Sequence, residues 1–159
     1  IWLLFLNQHM KGNKMNKQQQ MQDILKDTID YYAKDPAKRR CLTDDGDCMY
    51  TWGNNHCAVG RYLRKEYQDE AWDSNNESVN ELSTLSDDGD FNIDWCLVES
   101  VHGLDVNFWR NLQNIHDIVS NWEEWSKNKD GVRKYGLTDI GKAEYVKFQD
   151  KIAEGVYDE

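Results

Sequence analysis

The chain has 159 residues, 39% hydrophobic and 12% aromatic, enough to bury a core and to exclude global disorder. Its formal charge of −10 repels phosphate backbones and argues against direct nucleic-acid binding. It has no apolar run of the roughly 18 residues that a membrane-spanning helix needs, so no membrane span is expected.

The opening "IWLLFL" is apolar but short, and it lacks a basic flank and a small-residue cleavage site. The following "NQHMKGNKMNKQQQ" has no helical pattern before Met21. Lys11-Gly12-Asn13-Lys14 is encodable as a purine-rich ribosome-binding site directly before Met15. Residues 1–14 are therefore expected to be translated leader, with 15–159 a single domain.

Residues 17–34 have the spacing of a helix, with Met21, Ile24, Leu25, Thr28 and Tyr32 on one face and Pro36 as its stop. Lys38, Arg39 and Arg40 form the only dense basic run, expected as a solvated loop. "DDGD" occurs at 44–47 and again at 87–90. Calcium loops alternate their oxygen ligands, whereas here two acids adjoin, so each copy is expected to be a tight turn that launches a strand. The first leads into a hairpin over 48–59, where "CMYTW" and "HCAV" flank a Gly-Asn-Asn turn. "GRYLRKEYQDEAW" is then expected to be a helix, "ESVNELSTL" a second and "FNIDWCLVE" a third strand. Asp105 is the expected N-cap of the strongest helix, about 106–127. Its buried stripe is expected at Phe108, Leu112, Ile115, Val119 and Trp122, with Trp109 and His116 beside it. Gly136 suits a helix end, and Thr138 is the expected cap of a last helix with Ile140, Tyr145, Phe148 and Ile152 facing inward. The fold class is α+β, a mainly helical single domain with a small antiparallel β-hairpin or three-stranded sheet.

Two blocks carry a resemblance. "GDCMYTWGNNHCAVGRYL" and, later, "FWRNLQNIHDIVSNW" followed by "VRKYGL" resemble, in order, the signature of a family of small uncharacterised bacteriophage proteins. That signature runs Cys-x-Tyr, turn, Cys-Ala-Val/Ile-Gly, then Leu-Gln-x-x-His-Asp and a Tyr-Gly-Leu ending. The blocks cover about half the chain; the loop between them is unusually acidic here, and a proline usual after the first block is missing. The resemblance implies a phage accessory protein and carries no assigned activity. Within the blocks, Tyr50, Arg61, Trp109, Gln113, His116 and Asp117 are the candidate ligand- or partner-facing residues.

The four cysteines, Cys41, Cys48, Cys57 and Cys96, include no CxxC pair, so reduced thiols in a cytoplasmic setting are expected. Several readings of the reactive groups stand open. Cys48 and Cys57 are buried packing thiols, or part of a zinc site with His56, or a redox pair. Cys57 with His116 is the candidate nucleophile and base of a small enzyme, although Asp117, next to His116 on a helix, is expected to diverge from it. His116-Asp117 is a histidine at the core border, or a partner-facing polar pair. Trp72, Trp122 and Trp125 fall beside acidic or loop segments and suit contact with a basic protein. The expected function is that of a non-enzymatic accessory protein, for host takeover or anti-defence, with no cofactor. It would bind a host or defence protein, or a small signalling molecule near the hairpin–helix junction. The alternative is a small Cys/His enzyme or a zinc-supported domain.

Overall fold

The computed structural model describes residues 2–45, 48–69, 92–123 and 136–158. Within them the chain is mainly helical, with one small antiparallel sheet. Helix α1 spans Trp2–Ala33, α2 Pro36–Arg39, α3 Val106–Asp117 and α4 Asp139–Ala153. Strands β1 (Thr51–Trp52) and β2 (Asn55–His56) pair with Thr51 opposite His56. No helix among the described residues is long and apolar enough to cross a membrane.

The predicted face of α1 is its buried face: Met21, Ile24, Leu25, Thr28 and Tyr32 are all buried, and Ile29 joins them. The helix begins well before Met21, however. Lys, Gln, Met and Leu propagate a helix without needing an apolar face, so the absence of a stripe did not mark a break. It ends at Ala33, and Pro36 opens α2 at the one helical position where its missing N–H costs nothing.

Helix α3 is central. Asp105 caps it, its Oδ1 accepting from Asn107 N at 2.6 Å. Phe108, Leu112 and Ile115 are buried, and so are Trp109, Gln113 and His116, which makes the covered arc wide. Aromatic edges fill the space towards α4: Phe108 lies 5.3 Å from Trp109, 5.6 Å from Phe148 and 5.9 Å from Tyr157, centroid to centroid. Each large side chain so enclosed contributes about 1.5–3 kcal/mol.

Three expected elements take other forms. The helix expected over 106–127 stops at Asp117 and is followed by a 3-10 turn at Val119–Asn121. Its last carbonyls are captured by side chains from elsewhere, which leaves Val119 exposed and Trp122 buried on the returning chain. The strand expected in "FNIDW" is a 3-10 turn, Ile93–Trp95, because Asn92 accepts from Asp94 N at 2.9 Å and closes the backbone locally. The pairing nearby is a single antiparallel bridge between Leu63 and Leu97, so the sheet keeps two strands. The helix expected after the hairpin is two 3-10 turns, Gly60–Tyr62 and Lys65–Tyr67. In α4, Thr138 caps as expected and Phe148 and Ile152 are buried, but Ile140 is exposed. The expected helix in "ESVNELSTL", the second DDGD, Trp72 and Trp125 lie outside the described residues. At the first DDGD, Leu42 and Cys48 form an antiparallel bridge on either side of the turn.

Two glycines set the tightest contacts. A Cβ at Gly60 would sit 2.2 Å from the Tyr50 carbonyl oxygen, and one at Gly141 2.1 Å from that of Asn121. Both obstacles are backbone and cannot rotate away. Gly60→Ala and Gly141→Ala should therefore each lower stability by about 2 kcal/mol or more, read as a shifted urea midpoint at constant slope. The exposed change Lys38→Ala should move it by no more than about 0.5 kcal/mol.

Candidate functional site

The two sequence blocks meet at the end of α3. Cys57, Ala58 and Val59 leave β2 in a tight turn in which Cys57 O accepts from Arg61 N at 3.0 Å. Gly60 N donates to Cys57 Sγ at 3.2 Å. Gln113 of α3 reaches across, its Oε1 accepting from Val59 N at 3.2 Å. The same carboxamide donates through Nε2 to Asp117 Oδ1 at 2.6 Å, and lies 3.4 Å from His116 Nδ1.

His116 is completely buried and both its ring nitrogens are engaged. Nδ1 lies 2.7 Å from Asp117 Oδ1, and Nε2 accepts from Cys41 N at 3.3 Å. This pattern assigns the proton to Nδ1. The expectation that Asp117 diverges from His116 is thus incorrect. Asp117 is the last residue of α3, where the following backbone turns extended, and its carboxylate folds back over the ring. Tyr32 of α1 stands edge-on to the imidazole at 4.6 Å and bonds the His56 carbonyl.

Arg40 closes the site from below. It is buried, its Nε donating to His116 O at 2.8 Å and its Nη2 to Asp117 O at 2.9 Å. Trp122 Nε1 bonds the carbonyls of Ile115 and His116 at 3.0 and 3.1 Å, and Asn121 Nδ2 bonds that of Ile115 at 3.1 Å. The basic run is therefore not a solvated loop: Arg40 is inside, and Arg39 stacks over Tyr31 at 4.6 Å. Trp122, expected beside acidic segments, is in the core because it caps the helix.

Of the six candidate ligand- or partner-facing residues, Gln113, His116 and Asp117 come together. Tyr50 and Trp109 are buried in the core, and the Trp109 indole N–H has no hydrogen-bond partner among the described residues. Arg61 is turned to α1, 2.9 Å from Asp27 and 4.0 Å over the Tyr31 ring. Cys48 is exposed whereas Cys57 is buried, and none of the four cysteines is in a disulfide. His56 Nδ1 lies 3.1 Å from Thr51 Oγ1, and burial, then Arg61, hold the ring below the usual histidine range. No group of three His, Cys, Asp or Glu side chains arranged to hold a metal ion occurs among the described residues. Arg40, Cys41, Tyr32, Asn121 and Trp122 also belong to the cluster, a place the sequence reading did not give them, because their roles depend on contacts up to 77 residues away.

Burial pushes the Cys57 thiol far up, with the charges of Asp117 and Cys41 adding to the effect, and pushes Tyr32 up as well. Tyr62 is raised to about 12, again mainly by burial. Comparison with family models, curated proteins and solved structures gives no match to this chain.

Gln113→Leu leaves the buried Val59 N–H without its acceptor and should cost about 2 kcal/mol, whereas Asp117→Asn keeps an acceptor oxygen and should cost less; urea unfolding separates them. Alkaline pH gives a second test. Above about pH 8.5 the unfolded chain loses the Cys57 proton while the folded chain keeps it, so the folded state binds more protons. Stability should be fully present below that pH and fall as pH rises, by up to about 1.4 kcal/mol per unit for each withheld proton. Cys57→Ala should flatten the slope between about pH 8.5 and 10.

Proposed function

We propose that this chain is a non-enzymatic phage accessory protein, acting in the cytoplasm of the host cell in takeover or against a defence. It works by binding a host protein or a small signalling molecule. The observation that carries the reading is the condition of its reactive groups. The Cys57 thiol is buried, accepts an N–H from Gly60 and is held protonated. A nucleophile needs the thiolate and a base with a nitrogen available to it. Both nitrogens of His116 already have partners. These residues hold the two sequence blocks against each other, and function is left to the outer faces.

Those faces favour a basic protein as partner. The chain carries net charge −10, and Trp95 (59%) and Trp52 (37%) are the exposed tryptophans among the described residues. Aromatic contact area within an acidic field supplies both anchoring and electrostatic steering towards a cationic surface.

Native mass measurement of protein purified from phage-infected cells tests the reading. A non-covalent companion of the 18.8 kDa chain is expected, and folded Cys57→Ser should retain both the companion and the infection phenotype. A bare chain whose phenotype vanishes in folded Cys57→Ser would instead establish the small Cys/His enzyme. A retained zinc ion would establish the zinc-supported domain.

A further inference from the structure

A cleft of about 180 Å³ opens between α3 and α4; it shares Asn121 with the Gln113–His116 cluster, but Gln113, His116 and Asp117 do not line it. Ile115 and Phe148, both buried, form an apolar floor. Asn121 also lines it; the residue is 1% exposed, and its Oδ1 is buried with no hydrogen-bond partner among the described residues. An acceptor left so is costly unless something donates to it. Asn114, half-buried on the same wall, has a side-chain carboxamide with no hydrogen bond among the described residues. Lys147 and Lys151 stand one helical turn apart on the α4 side. Lys147 lies 3.4 Å from Glu144, whereas the Lys151 ammonium has neither an ion pair nor a hydrogen bond among the described residues. The rim is thus net positive by one charge on an otherwise acidic protein.

The geometry points to a binding site for a single-ring, N–H-bearing heterocycle with an anionic substituent, the chemistry of an acidic pyrimidine. The floor takes the face of the ring. Asn121 Oδ1 accepts its N–H, and the Asn114 carboxamide pairs with a lactam edge. The lysines hold a carboxylate or phosphate at the mouth. Size selects one ring: an enclosed cavity of about 150 Å³ holds benzene, so this cleft has room for one ring and the start of a substituent. The inference rests on the reading that the chain binds rather than reacts. Its failure would remove only the small-molecule arm and leave the protein-partner arm to the native mass measurement.

Uracil, orotate, uridine 5′-monophosphate and inorganic phosphate, each titrated to millimolar concentration into the isotope-labelled full chain, provide the test. Uracil, orotate and the nucleotide should all shift the side-chain amide resonances of Asn114 and Asn121. One or both of the anionic pyrimidines should bind at least tenfold more tightly than uracil; which one does so identifies carboxylate or phosphate as the anion. Lys151→Met should remove about fivefold of that advantage and leave uracil binding unchanged. Asn114→Ala should weaken every pyrimidine about tenfold, and neither side chain makes a hydrogen bond that the fold would lose. The inference is overturned if no pyrimidine shifts these amides, if uracil binds as tightly as both charged probes, or if phosphate alone reproduces the shifts, which would mean an adventitious ion only.

Discussion

The final turn of an α-helix leaves carbonyl oxygens without partners, and burying them unpaired costs free energy comparable to lost hydrogen bonds. Helix α3 ends inside the protein, so this constraint falls on the whole molecule. Arg40 answers it from the α2 end, and Trp122 and Asn121 from the returning chain. Each cap also fixes a piece of tertiary structure. Arg40 holds the connection after α2 against α3. Trp122 pulls the chain back, and an antiparallel bridge joins it to Leu137, just before the cap of α4. Asn121 offers its carbonyl to Thr138 N and lies against the bare Cα of Gly141. The position of α4 is therefore set by how α3 terminates.

The same end explains why His116 and Asp117 look like a catalytic pair and are built like a strut. A buried imidazole with one nitrogen donating and the other accepting is satisfied as the neutral ring. Here one nitrogen faces a carboxylate and the other a backbone N–H, while Gln113 ties that carboxylate to the Cys57–Gly60 turn. Cysteine at 57 fits because its sulfur is small and a weak acceptor for the Gly60 N–H, and glycine at 60 fits because the Tyr50 carbonyl occupies the space of a Cβ. The Cys-Ala-Val-Gly and Gln-x-x-His-Asp spacings are two halves of one packed joint.

What was legible in the sequence was whatever one element decides alone. The face of α1 followed from spacing, the caps Asp105 and Thr138 from local side-chain chemistry, and the hairpin from a glycine, Gly53, whose φ is +59°. What was not legible depended on distant partners. Nothing between 117 and 127 breaks a helical pattern; the break exists because Arg40, far earlier in the chain, takes the carbonyls. "FNIDW" alternates like a strand, but no strand among the described residues pairs with it and Asn92 closes it locally. The candidate residues split for the same reason. Gln113 and His116 lie one turn apart and meet through the helix itself, whereas Arg61 was placed by its contacts with α1.

Arginine placement sharpens the electrostatic character of the outer surface. Arg40 and Arg64 donate to backbone carbonyls, Arg39 donates to the Tyr31 carbonyl while covering that ring, and Arg61 lies over Tyr31 from the turn after β2. None of the four is exposed. A guanidinium suits these duties because its planar fork satisfies several acceptors and stacks on aromatic faces, which an ammonium does poorly. The consequence is a division of labour between the two cations. Arginine charge is drawn inward to hold the fold together, and the solvent-facing positive charge is left mostly to lysine on flexible stems. Against a formal charge of −10, the lysine-rimmed mouth between α3 and α4 is a local exception.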